Sequence, residues 1–164
     1  MNETLCKLLE SIGFDIERPL PQDSGGGALF LTNAVLCLKR EGGMQGATKP
    51  KWFMNCAPFL RRTIEIIRPK VIVTLGEGAY QAIATLYKLK PLPLWGAVDI
   101  KDGFELPNGI RLFPVYHCGA RILNTHRKLT QQTEDWKKIG RALELARAAE
   151  WAVEADNKDS DDVG

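Results

Sequence analysis

The chain has 164 residues, 45% of them hydrophobic, and a formal charge of +2, enough to bury one core without disulfides or metal and most simply a single domain. No apolar run approaches the roughly 18 residues of a membrane span, and the first residues carry acid (Glu3) where a secretory leader has basic charge. The expectation is a cytoplasmic monomer with no membrane partner. Of the 22 basic and 20 acidic residues, the stretch 154–164 holds only Lys158 against Glu154, Asp156, Asp159, Asp161 and Asp162. That leaves 21 basic and 15 acidic residues, net +6, in the body at 1–153. A mildly basic body is compatible with phosphate backbones without identifying one. The four cysteines, Cys6, Cys37, Cys56 and Cys118, form no C-x-x-C pair, so separate reduced thiols are expected, with no metal and no cofactor.

Asn2 can cap a first helix through Leu5, Leu8, Leu9 and Ile12 that Gly13 ends. Pro19, Pro21 and Gly25-Gly26-Gly27 mark a loop. Ala28–Leu36 reads as a buried strand. Lys39 to Lys51, with three glycines, Pro50 and four basic residues, reads as a long cationic loop. From Trp52 or Asn55 to Ile67, apolar residues recur at helical spacing until Arg68-Pro69. Lys70–Leu75 follows as a β-branched strand, and Gly76 turns it into a helix through Tyr87. Beyond Pro91 and Pro93, short runs at Ala97–Ile100 and Phe104–Leu106 flank Asp102-Gly103, a hairpin signal. Asn108-Gly109 turns the chain into the strand Ile110–Tyr116. A last helix runs from near Thr130 to about Ala155, ahead of an acidic tail expected to be disordered. Strands alternating with helices predict an α/β fold, a three-layer α/β/α sandwich with a short, mainly parallel central sheet.

Two apolar runs end in residues suited to chemistry. Leu112–Tyr116 delivers His117, one of two histidines, to a strand's C-terminal end, where open α/β sheets bind ligands. Leu29–Thr32 delivers Asn33, whose amide offers both a donor and an acceptor. Together they suggest a site for a polar heterocycle; separately they read as a turn residue and a structural histidine. Val73-Thr74-Leu75-Gly76-Glu77-Gly78 invites a phosphate-binding reading. The third glycine of that pattern would fall at Gln81, so a tight strand-to-helix turn competes with it.

The pieces in order are Leu31-Thr32-Asn33-Ala34-Val35-Leu36-Cys37, Asn55-Cys56-Ala57-Pro58-Phe59-Leu60, Arg68-Pro69-Lys70-Val71-Ile72-Val73-Thr74-Leu75-Gly76, and Phe113-Pro114-Val115-Tyr116-His117. This succession resembles the uracil-DNA glycosylase superfamily, most closely the branch of the thermostable bacterial and archaeal enzymes, from the first helix to about Ile139. The resemblance implies a protein of base-excision repair that flips uracil or a related deaminated base out of DNA and hydrolyses its N-glycosidic bond. It implies that Asn33 reads the base edge, and that His117 donates to the base carbonyl as negative charge develops. Arg121, with Gly119 in the loop after the histidine, and Lys49 and Lys51 are the expected DNA contacts.

The chain also departs from the pattern. The family's H-P-S is here His117-Cys118-Gly119, and Arg121 stands where many members place a leucine wedge. Cys37 and Cys56 resemble the second pair of iron–sulfur ligands of the thermostable enzymes, but no first pair is matched, so both are expected to be packing groups and no cluster is expected. Members begin with a strand and a Gly-rich loop that supplies the water-activating group and an aromatic floor for the base; this sequence starts at the following helix. In the family topology that strand lies between those matching Ala28–Leu36 and Lys70–Leu75, and its loss should leave unpaired backbone on both. A piece of a longer enzyme, a remodelled domain with impaired catalysis, and an inactive nucleic-acid- or partner-binding module all remain open. Asp23 is the one nearby acid that could replace the lost group.

Overall fold

The structure is a computed structural model and describes residues 2–14, 29–36, 48–90 and 92–161, without the side chains of 120, 121 and 150–161. In chain order it contains α1 (Glu3–Glu10), α2 (Pro50–Ile67), β1 (Val71–Leu75), α3 (Glu77–Leu86), α4 (Leu94–Val98), β2 (Phe104–Glu105), β3 (Arg111–Val115), α5 (Ala120–Thr125) and α6 (Leu129–Asp161). Asp23, Cys37 and the glycine run at 25–27 lie outside the described residues.

Local chemistry sets most of these bounds. The Asn2 side chain accepts from the backbone N–H groups of Thr4 and Leu5 and starts α1. Gly13, at φ +87, lets the Phe14 N–H reach back to the Leu9 carbonyl. Pro50 opens α2 at a position where a missing N–H costs nothing, so the expected cationic loop ends at Thr48, and Lys49 and Lys51 belong to the start of a helix. Arg68, at φ +50, closes α2 ahead of Pro69. Between β1 and α3 Gly76 adopts φ +85 and ψ 169, a backbone conformation essentially reserved for glycine. This is the tight-turn reading of the Gly76-Glu77-Gly78 segment. Gly78 serves helix packing, since a Cβ there would sit 2.8 Å from the Phe53 ring of α2.

The sheet order is β1-β3-β2, with β1 and β3 parallel over Val71↔Arg111 to Leu75↔Val115, and β2 antiparallel to β3. Helices cover both faces. On one side Leu60, Ile64, Tyr80, Ile83, Val98 and Leu112 form a core with α2, α3 and α4. On the other, Leu8, Leu9, Phe113, Val115, Trp136 and Ile139 join α1 and α6 to the sheet. This is the expected α/β architecture, with a mixed sheet. The strand period of two sends Leu112 to the first core and Phe113 and Val115 to the second. Pro114 lies opposite Thr74. Arg111 donates to the Lys70 carbonyl on the β1 side, so alternation puts the proline nitrogen on the β2 side, past the end of that two-residue strand.

Three expectations need correction. The expected strand over Ala28–Leu36 does not form across its described part: residues 29–36 are irregular, and Leu29, Phe30 and Leu31 are 40%, 54% and 50% exposed. No strand pairs with this segment among the described residues, and an apolar run becomes a buried strand only when a neighbour takes up its backbone groups. The hairpin turns at Pro107–Gly109 and not at Asp102-Gly103. Asn108 and Gly109 both adopt positive φ there, while Leu94, Ala97 and Val98 satisfy helical spacing with their apolar side chains buried in the short α4. Finally, α6 continues to Asp161, six residues past the expected end. Alanine-rich sequence with Glu154 four residues ahead of Lys158 favours that continuation. Among the described residues no helix is long and apolar enough to cross a membrane.

Candidate functional site

Two apolar strands running in parallel must bring their C-terminal ends to the same edge of the sheet, and that edge is where the candidate residues meet. β3 ends at Val115 and, after Tyr116, presents His117 exposed to solvent; β1 ends at Leu75 and turns through Gly76. The Gly76 N–H donates to the Val115 carbonyl at 2.7 Å. A Cβ on Gly76 would lie 3.7 Å from the His117 Cβ, so strand end and turn are in close register.

The imidazole is oriented by its own loop. The Gly119 N–H donates to His117 Nδ1 at 3.2 Å, and an acceptor at Nδ1 puts the proton of the neutral ring on Nε2. A side chain at 119 would press on the ring, since a Cβ there would stand 3.4 Å from Nδ1. Gly119 therefore acts first on His117, whatever it contributes to a DNA surface. Cys118 is buried against α1 and α6, and that burial pushes its thiol pKa up.

Asn33 and His117 line one cavity of about 600 Å³, the asparagine from the irregular 29–36 segment and the histidine from the end of β3. Asn33 is exposed. Its segment is tied to α2 through the Leu36 N–H, which donates to Cys56 Sγ at 3.4 Å. Cys56 itself is buried, as a packing cysteine should be. Cys56 faces the 29–36 segment, whereas Cys118 sits in the core with α1. Among the described residues no group of three His, Cys, Asp or Glu could hold a metal ion.

Lys49 and Lys51 are not among the residues that line the cavity. Lys49 and Lys51 are exposed at the start of α2, whose first turn has no acid and no side-chain cap, and the Lys49 ammonium stands 6.0 Å from the centroid of the Trp52 ring. Arg121 falls in the first turn of α5; its side chain is outside the described set.

One group escaped sequence reasoning. Arg127 makes a two-pronged ion pair with the buried Asp135, at 3.0 and 2.7 Å, and reaches Asp99 at 3.3 Å. Its guanidinium carbon lies 5.9 Å from the centroid of the Tyr116 ring, next to His117. The bonds to Asp135 raise the arginine pKa further above its usual value. No spacing rule announces this latch, because it depends on α6 folding back beneath the end of β3.

Comparison with known proteins adds the family. The sequence pattern described as the Uracil DNA glycosylase superfamily matches residues 2–140. The chain is 31% identical over 120 residues to the type-4 uracil-DNA glycosylase of Saccharolobus solfataricus, covering 70% of this chain and 52% of that protein. It is 31% identical over 109 residues to the type-5 uracil-DNA glycosylase of Pyrobaculum aerophilum, covering 64% and 42%. With the type-4 enzyme of Archaeoglobus fulgidus the identity is 28% over 137 residues, covering 83% and 62%. The matched stretch is thus about half the length of these curated relatives. No solved structure matches.

Proposed function

Because the chain belongs to the uracil DNA glycosylase superfamily, we propose that it acts on DNA in base-excision repair, releasing uracil or a similar deaminated base by hydrolysis of the N-glycosidic bond. The observation that carries this reading is the pairing of Asn33 with His117 in one cavity, the imidazole held with its donor on Nε2. A base flipped from the stack presents an imide edge to the Asn33 amide. As the glycosidic bond breaks, negative charge moves onto the base, and the His117 Nε2–H donates to the carbonyl oxygen that carries it. Such a donor contributes most when it is already aimed at the developing charge.

DNA is held outside the cavity. The start of α2 offers Lys49, Lys51 and a helix end without a side-chain cap, an arrangement that favours phosphate oxygens. Arg121 enters from the first turn of α5 as the residue that fills the space of the flipped base, by stacking. The protein works as a monomer. No residue is assigned to activate water.

A second reading, a binding module that holds the base without cutting it, is favoured by the exposed rim at Leu29–Leu31, which leaves the wall beside Asn33 unsupported. Uracil release from single- and double-stranded oligonucleotides separates the two. The enzyme reading expects release that falls about 10²–10³-fold in His117→Ala, the usual cost of removing one such donor, with Asn33→Ala also impaired and DNA binding largely kept. Retained binding with undetectable release from the parent chain selects the module. Affinity that does not weaken as salt rises would remove the phosphate contacts from the account.

A further inference from the structure

The His117 imidazole stands exposed beyond the end of β3, and a donor contributes to a developing charge only when its direction is fixed beforehand. The sheet fixes the backbone as far as Val115. Past that point the ring depends on the segment 117–126, which leaves the sheet at Tyr116 and returns at Arg127.

One side chain closes this segment at its base. The Arg127 guanidinium lies 5.9 Å from the centroid of the Tyr116 ring, where the segment starts. The same group grips the buried Asp135 of α6 through Nε and Nη2, and Nη2 also donates to Asp99, the residue that ends α4. From the α6 side Lys138 donates to the Val98 carbonyl at 3.0 Å, so α4 and α6 are joined beside the guanidinium. A planar fork on a carboxylate fixes direction as well as distance.

From that base an unbroken run of hydrogen bonds leads back to the imidazole. The buried Gln132 amide donates to the Arg127 carbonyl at 3.2 Å. The N–H groups of His126 and Arg127 donate to the Ile122 carbonyl at 2.9 and 3.1 Å, and those of Ile122 and Leu123 to the Gly119 carbonyl at 2.9 and 3.2 Å. The last link is the Gly119 N–H on His117 Nδ1. Neither Arg127 nor any residue of 118–126 is among those that line the cavity, so the run reaches the site only through the histidine.

We infer that Arg127 is a positioning residue for His117. It holds the two ends of the 117–126 segment together, so that the Gly119 N–H stays on Nδ1 and the ring keeps one direction with its proton on Nε2. It does not itself meet the base. The inference rests on the reading of His117 as the donor to the departing base.

The test compares the 164-residue chain with Arg127→Lys, which keeps the charge and loses the fork, and with Asp99→Asn, a change at an exposed carboxylate that leaves the Asp135 pair in place. At about pH 8, where an ordinary histidine is neutral, the nitrogen NMR shifts of His117 show which ring nitrogen holds the proton. The Nε2–H form should dominate in the parent, and the Nδ1–H form should rise about threefold or more in Arg127→Lys, and less in Asp99→Asn, as the bond from Gly119 is lost. The amide shifts of Val73 and Leu112 should stay where they are. On a single-stranded uracil oligonucleotide, kcat should fall about tenfold or more in Arg127→Lys with KM near the parent value, because a misaimed group costs rate and not binding. An unchanged tautomer in both folded variants overturns the inference. So does a KM that rises while kcat holds, which would make Arg127 a DNA contact. A parent chain that releases no uracil removes the glycosylase reading and leaves the tautomer to decide the role of Arg127. Should Arg127→Lys fail to fold, the tautomer of Asp99→Asn decides it.

Discussion

The two parallel strands of this molecule are close in composition and opposite in circumstance. β3, Arg-Leu-Phe-Pro-Val, has a strand or turn along both sides, and four of its five residues are buried; β1, Val-Ile-Val-Thr-Leu, buries only Thr74. On side-chain chemistry alone β1 is the more apolar and β-branched of the pair. The difference shows that a strand's burial belongs to its neighbours: helices cover a sheet's faces, but only another strand covers an edge. The candidate site straddles the two conditions, with His117 on the closed strand and Asn33 on the rim of the open side.

Stability measurements can break or sharpen that contrast. The largest effect is expected at the latch on the closed side. Asp135 is 2% exposed and holds Arg127, and removing one partner of such a pair leaves a half-buried charge, so Asp135→Ala should lose about 3–5 kcal/mol in urea unfolding. A loss below about 1 kcal/mol would mean that water replaces the carboxylate and the latch does not hold α6. Next comes Leu112→Ala in β3, at 0% exposure, for which about 3 kcal/mol is expected from lost contacts and the cavity left behind. Asn2→Ala removes the cap of α1, which lines the cavity of Asn33 and His117, and should cost about 1 kcal/mol, read as a lower thermal midpoint. Val73→Ala, on the open strand, is expected to cost less than about 1 kcal/mol because the side chain is only half-buried and leaves little cavity. Equal losses for Leu112→Ala and Val73→Ala would abolish the distinction between the strands.

What could be read from the sequence follows the same division. Elements set by local pattern and turn residues, α1, α2, β1, α3 and β3, lie where that pattern places them, with a side-chain cap at α1. The 29–36 run has the composition of a buried strand, but composition carries no information about whether a neighbouring strand is present. The hairpin signal at Asp102-Gly103 loses to the turn at Asn108-Gly109, because the run at 94–98 is buried as a helical turn and leaves no strand ahead of Asp102 to pair. In the site, His117 and Asn33 could be found because each ends an apolar run. The hydrogen bond from Gly119 could not, since it depends on how the loop folds back, and neither could the Arg127–Asp135 pair, whose members meet only through the docking of α6.

Pro114 gives the sheet a polarity in how it can associate. On the β2 side the flanking strand is two residues long and ends in an acid, and beyond it the one β3 position that would donate outward carries no N–H. That margin cannot recruit further chains, which leaves β1 as the sole adhesive edge among the described strands. Through the described strands alone, such an edge can cap a partner or pair with a twin, and each pairing consumes it. As far as the described strands go, association at the exposed apolar rim ends at pairs rather than polymers.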